Sequence, residues 1–222
     1  MTRILITSGP TRQYLDPVRY LTNASSGRMG CALAEAALEL GHDVLVVSGP
    51  VEVAYPRAAE VIDIVSTEEL LDVCAAKFPA CDGLIGAAAP CDYRPVKVAT
   101  QKIAKSGDPL TLHLVETPDV VATVGSRRRD NQWSVGFALE TEDARFRALT
   151  KLQRKSCDLI VLNGPEAMNA LHNNVEIIDR TGAVIRELGG SKETVAQGIL
   201  AVVQEKLIDV IGQRGTRQPD ES

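Results

Sequence analysis

The sequence lacks most of the signatures that assign a chain quickly. No apolar run approaches the ~18 residues of a membrane-spanning helix. The start, Met1-Thr2-Arg3-Ile4, passes straight into a strand pattern, so no signal peptide is expected. The five cysteines, Cys31, Cys74, Cys81, Cys91 and Cys157, are an odd number and form no CxxC pair. That argues against a disulfide framework or a zinc knuckle and for a reducing cytoplasm, with most thiols buried as small apolar groups. His42, His113 and His172 lack metal-ligand spacing. Walker A and GxGxxG patterns are missing, which removes support for a P-loop ATPase or an ordinary dinucleotide dehydrogenase. There is no excess of positive charge. The net charge is −5, so bulk nucleic-acid binding is not expected, and an anion site must concentrate its cations locally.

What remains is an alternation of strands and helices. Arg3–Thr7, Asp43–Val47, Val61–Val65, Leu84–Ala89, Leu110–Val115, Ser134–Leu139 and Leu159–Leu162 read as strands. Helices are expected after Gly30, from Ser66 or Thr67, from Thr117-Pro118-Asp119 with Thr as cap, and over Glu142–Ser156. Val175–Asp179 and Ala183–Ile185 flank a turn and read as a hairpin, and Lys192–Ile211 as one long helix. This order implies a parallel α/β sheet, whose ligands bind at the carboxyl ends of the strands. With 45% apolar residues and no repeat or linker, one domain over 1–213 and a disordered tail over 214–222 are expected.

The chain is organised around Gly9–Gly30. This long connection between a strand and a helix ends in Asn23-Ala24-Ser25-Ser26-Gly27 and carries Arg12, Arg19 and Arg28. Ser and Asn can cap helix amides, and the helix dipole favours an anion there. The stretch reads equally as a phosphate or carboxylate cradle and as a surface loop with ordinary capping. A second irregular region, Pro90–Pro109, carries Asp92, Tyr93, Arg94, Lys97, Lys102 and Lys105 and reads as a ligand flap or as a solvated loop. Lys151 and Lys155 share a helix face, with Arg147 one turn earlier, either at a ligand or in solvent. Asn23 is either a donor to an oxyanion or a turn residue. Asp92 is either a ligand contact or a turn residue. These residues give an anion site on an α/β protein, without a reaction.

Several motifs together carry a resemblance. Thr7-Ser8-Gly9-Pro10-Thr11-Arg12, Leu15-Asp16-Pro17-Val18-Arg19-Tyr20 and Asn23-Ala24-Ser25-Ser26-Gly27-Arg28-Met29-Gly30 are the most specific. Ala87-Ala88 with Asp92-Tyr93, Lys102-Ile103, Thr117-Pro118-Asp119-Val120, Val135-Gly136-Phe137-Ala138 with Glu140-Thr141, and Lys151 with Lys155 follow in order. From Ile4 to about Leu207 the chain resembles the phosphopantothenoylcysteine synthetases of coenzyme A biosynthesis, in their stand-alone bacterial form. In many bacteria this domain follows a flavin-dependent decarboxylase. Nothing precedes Met1, so that activity is expected to be absent from this chain, with a separate decarboxylase as a candidate partner.

The resemblance implies a Rossmann-like, three-layer α/β fold with a mostly parallel central sheet and a C-terminal β-hairpin plus helix. It implies a ligation in which CTP activates 4′-phosphopantothenate as an acyl-cytidylate, which the amine of cysteine then captures. Mg²⁺ is the implied cofactor, with its ligands unassigned, and a homodimer the implied assembly, with the site near the subunit interface. Asn23 is implied to hold the acyl-cytidylate, Arg19 to support that loop or the substrate, and Lys102 to stabilise phosphates from a flap. Gly86, Ala87 and Ala88 are implied to lie along the nucleotide, and Asp92 to face the base or sugar. Pro118, Asp119, Val120 and Val121 would bring a helix N-terminus to the phosphates. Phe137 would pack on the nucleotide, and Lys151 and Lys155 would contact it. Ala104 stands where a lysine is frequent, Asn163 precedes Gly164-Pro165 where an acid is common, and Pro90-Cys91 is unusual. ATP-driven ligation and a non-catalytic nucleotide-binding module on the same fold are the alternatives.

Overall fold

The computed structural model describes residues 1–139, 143–163 and 173–216. Its centre is an eight-stranded sheet in the order β12 (Val184–Gly190), β11 (Asn173–Asp179), β10 (Leu159–Asn163), β9 (Trp133–Leu139), β6 (Gly83–Gly86), β1 (Arg3–Ser8), β4 (Asp43–Ser48), β5 (Glu60–Asp63). β1 (Arg3–Ser8) and β4 (Asp43–Ser48) are apolar through their middles and buried on both faces, as parallel strands under two helical layers must be. β5 (Glu60–Asp63), β6 (Gly83–Gly86), β9 (Trp133–Leu139) and β10 (Leu159–Asn163) extend the parallel array. β11 (Asn173–Asp179) and β12 (Val184–Gly190) close one edge as the expected hairpin, pairing antiparallel to β10 and to each other.

Helices cover both faces. On one lie α1 (Arg28–Glu39) and α5 (Lys192–Val203), packed on each other. On the other lie α2 (Thr67–Lys77), α3 (Val120–Gly125) and α4 (Ala144–Lys155), each against the next. The sheet's two faces thereby seed separate apolar clusters, Ile4, Ile6 and Val46 toward α1 and α5, and Leu5, Leu45 and Val47 toward α2 and α3. The alternation of side chains along a strand produces that division.

Four local expectations need correction. Gly9–Gly30 is not simply a loop, because β2 (Arg12–Asp16) and β3 (Arg19–Thr22) form a two-stranded ribbon outside the main sheet. Within Pro90–Pro109, β7 (Tyr93–Pro95) pairs with β8 (Leu114–Glu116), so only the end of the strand expected over Leu110–Val115 is formed. α3 is capped by Asp119, whose side chain accepts from the Ala122 N–H, while the Thr117 hydroxyl donates to Cys91 O instead. The C-terminal helix is continuous but passes through a π-turn at Gln204–Ile208 before α6 (Asp209–Thr216). Residues 217–222 of the expected tail lie outside the described residues, as do Glu140, Thr141, Gly164, Pro165 and His172.

Candidate active site

β4 and β5 lie on one side of β1, β6 and β9 on the other. The chain therefore reverses its direction of travel at the β1/β6 boundary, and the crevice at the carboxyl ends of these strands is the expected ligand site. Both long connections leave the sheet there. They pair beyond it through a Pro10–Ala89 bridge, with the Ala89 N–H donating to Gly9 O at 2.9 Å.

Buried hydroxyls lock the two connections together. Thr11 and Thr67 share a hydrogen bond of 2.8 Å, and the Cys91 N–H donates to Thr11 Oγ1 at 2.7 Å. The Cys91 carbonyl accepts from Thr67 and Thr117. The unusual Cys91 is thus a buried structural residue whose backbone ties three segments together. α1 starts directly behind the crevice. Gly30 permits this, since a Cβ there would lie 2.1 Å from Ser8 Oγ.

The crevice opens into two adjoining clefts. One, of about 490 Å³, is lined by Asn23, the Ser25–Met29 segment, Ala87, Phe137, Asn163 and Lys192, among others. The other, of about 610 Å³, is lined by Pro118, Asp119, Val120, Val121, Tyr93 and Arg154, among others. Pro90, Asp92, Lys151 and Lys155 line both, so the clefts meet at a basic wall.

Asn23 lines the first cleft. Its Nδ2 donates to Pro90 O at 2.8 Å and reaches Ala89 O at 3.4 Å, so one carboxamide staples the two connections. Asp92 is exposed at the meeting point of the clefts. Asp119 faces Lys155 at 3.3 Å and Arg154 at 3.1 Å. Partial burial pushes the Asp119 carboxyl up, but Lys155, the Ala122 N–H and Arg154 outweigh it and hold the group below the usual range.

The structure gathers Asn23, Ala87, Asp92, Pro118, Asp119, Val120, Val121, Phe137, Lys151 and Lys155 around the joined clefts. Gly86 and Ala88 lie behind this lining. A Cβ at Gly86 would meet Val121 at 2.5 Å, and the Ala88 N–H donates to Thr7 Oγ1. Arg19 and Lys102 stand apart. Arg19 pairs with the fully buried Asp16 and donates to Ile103 O at 3.0 Å, and Ile103 N–H donates to Asp16. Arg19 is thus a positioning residue that anchors the segment carrying the exposed Lys102 beside the β2–β3 ribbon.

Sequence reasoning missed Arg154, Asn173 and Lys192. Arg154 was recoverable from its spacing to Lys151. Lys192 comes from the far end of the chain, and its only local signal is a lysine in the first turn of a helix, where an acid is favoured.

The chain spans about half the length of the curated relatives it matches. It is 41% identical over 211 residues to the coenzyme A biosynthesis bifunctional protein CoaBC of Vibrio cholerae, covering 92% of this chain and 53% of that protein. The crystal structure of the C-terminal domain of a CoaBC protein superposes with a TM-score of 0.79 at 35% identity, covering 94% of this chain and 96% of that one. A Cab2 variant in complex with phosphopantothenate-cysteine shares the fold, with a TM-score of 0.79 at 16% identity, over 97% of this chain and 89% of that one. Matched by its family model over residues 1–207, the chain belongs to the family of the DNA/pantothenate metabolism flavoprotein C-terminal domain.

Proposed function

We propose that the chain is a CTP-dependent ligase joining 4′-phosphopantothenate to L-cysteine in coenzyme A biosynthesis. The observation that carries this reading is the joined cleft, with a basic wall of Lys151 and Lys155 shared by both parts and Asn23 lining one of them. A carboxylate is a poor acyl donor because oxide would have to leave. In the first step its oxygen attacks the α-phosphorus of CTP, the bond to the β-phosphate breaks, and pyrophosphate departs. In the second, the cysteine amine attacks the acyl carbon, CMP leaves with the acyl oxygen, and the amine loses a proton.

The chain contributes positioning and charge compensation. Lys151 and Lys155 hold the nucleotide phosphates, Phe137 packs against the nucleotide, and Asp92 faces its base or sugar. Asn23 holds the acyl-phosphate group. Lys102 reaches phosphates from a flap whose root is set by Arg19 and Asp16. Among the described residues no group of three His, Cys, Asp or Glu side chains forms a metal cage, and Asp119 is engaged by cations. Mg²⁺ would enter with the nucleotide phosphates, with no protein ligand assigned to it. Bound there, Mg²⁺ would neutralise the phosphates and polarise the reacting one.

The assembly is read as a homodimer. Val18, Tyr20, Val96, Val98, Leu110 and Leu114 expose large apolar surface on the β2–β3 ribbon and the β7–β8 arm. A second copy would cover that surface and bring a flap near a neighbouring cleft. No helix among the described residues is long and apolar enough to cross a membrane. The free cysteines favour a reducing cytoplasm as the compartment. A decarboxylase acting on the amide product is the expected partner activity.

The test is pyrophosphate release from 4′-phosphopantothenate, cysteine and Mg²⁺ with either CTP or ATP. Release with CTP well above ATP is expected. Preference for ATP would reverse the nucleotide assignment, and no release with either would leave only the nucleotide-binding module.

A further inference from the structure

Asp92 lines both clefts but is itself exposed, so its place depends on the residues around it. The backbone on either side of it is held from the first turn of α2. Ser66 caps that helix by accepting from the Glu69 N–H, so the hydroxyl of buried Thr67 serves the crevice instead of the helix end. Thr67 donates to Cys91 O at 3.2 Å. A hydroxyl has one proton, so Thr11 is the donor in the 2.8 Å bond between the two threonines. Thr11 Oγ1 in turn accepts from the Cys91 N–H at 2.7 Å. The result is a closed ring with one direction, from Cys91 N–H through Thr11 and Thr67 back to Cys91 O. In such a ring each bond strengthens the next. Glu68, the following residue of α2, forms an ion pair with Arg94 at 3.0 Å and accepts from Gln13 at 2.8 Å. The Thr117 N–H donates to Asp92 O at 2.9 Å. The chain is therefore pinned before, at and after Asp92.

We propose that Thr67, through Thr11, is a positioning residue for nucleotide choice, closing the ring that sets Asp92 against the base. The inference rests on the ligase reading for the place of the base at Asp92. An ionised carboxylate only accepts hydrogen bonds. It takes one from the amino group of cytosine and repels the carbonyl oxygen that uracil carries at the same position. That contrast is large only while the carboxylate cannot retreat. Without the Thr67 hydroxyl the ring opens, Thr11 loses its acceptor, and Cys91 O loses one of its donors. Asp92 then loosens its hold on the matched base and turns away from the mismatched one. The same anchor serves the phosphates. Thr117 also donates to Cys91 O and leads through Pro118 to the N-cap of α3, so base and phosphate ends of the site share one buried reference point.

Calorimetric binding of CTP and UTP to wild type, Thr67→Val and Thr67→Ser tests this, with pyrophosphate release measured in parallel. Valine keeps the shape of threonine and removes the hydroxyl. Thr67→Val should cut the CTP-over-UTP binding ratio about tenfold, as loss of a placed polar contact does. Its KM for CTP should rise with kcat nearly unchanged, because the base lies away from the reacting phosphate. Thr67→Ser should restore most of both. Should Thr67→Val fail to fold in a melting control, Thr11→Val opens the same ring and carries the same expectation. A folded ring variant with the wild-type ratio, equal weakening of CTP and UTP, or a wild type that binds both alike would overturn the proposal. Wild type that prefers CTP through Thr67 but releases no pyrophosphate would sink the ligase reading and leave the positioning role standing.

Discussion

At the scale of single residues, the site depends on atoms that are missing as much as on those present. Gly30 lets α1 approach β1 so closely that Ser8 Oγ occupies the space of a Cβ. Gly30→Ala should therefore force α1 off the strand end, at a cost of about 1–3 kcal/mol as for other overpacked sites. Urea unfolding of the variant checks it, and a midpoint equal to wild type would show that Ser8 can simply move aside. Asn23 was legible in the sequence as a residue before a helix start, yet its partners were not. Its bonds run to carbonyls of the connection after β6. No local pattern reports a contact between loops so far apart in the chain. Asp119 shows the reverse failure. Thr-Pro-Asp suggested a threonine cap, but Thr117 finds a better partner in the buried carbonyl of Cys91, and capping passes to Asp119.

At the scale of elements, the parallel core was readable because β1 and β4 are short apolar runs between turn signals. The β2–β3 ribbon was hidden. Its strands are short, polar on one face and closed by a bulged turn, so neither a period of two nor a turn dipeptide stands out. What holds the ribbon to the Lys102 segment is Asp16. Burial pushes this carboxyl up, but N–H donors of Val18, Ile103 and Arg19 and the Arg19 guanidinium outweigh it, and the pKa falls from 3.8 to about 2. A lowered folded pKa means that Asp16 stabilises the structure fully above its unfolded pKa. That contribution fades as pH falls from about 4 through about 2. Thermal melting across that range should show Asp16→Asn less acid-sensitive than wild type, though less stable at pH 7. Parallel pH profiles for the two proteins would refute the assignment.

At the scale of the whole molecule, the reversal of strand order at β1/β6 decides where chemistry happens. It puts Gly9 and Ala89 side by side and lets helices from both faces contribute cations to one crevice. The sequence pattern implied the sheet and the carboxyl edge. It did not reveal that α5 returns across α1 to set Lys192 beside Arg28, because that depends on packing between the two ends of the chain. The exposed apolar ribbon and arm predict association. Sedimentation should find a dimer at micromolar concentration, and Val18→Asp should shift it toward monomer. A wild-type monomer with full turnover would contradict a site completed by a second copy.

The central claim is that Asn23 holds an activated acyl group between the two connections. An aspartate at this position cannot donate to Pro90 O, and its charge would repel that carbonyl, while Lys151 and Lys155 remain in place for the nucleotide. The deciding measurement is mass spectrometry of quenched reactions of Asn23→Asp with CTP, 4′-phosphopantothenate, cysteine and Mg²⁺. Accumulated acyl-cytidylate, with pyrophosphate released and little amide formed, is the predicted result. Amide formed at the wild-type rate, with no intermediate retained, would contradict it.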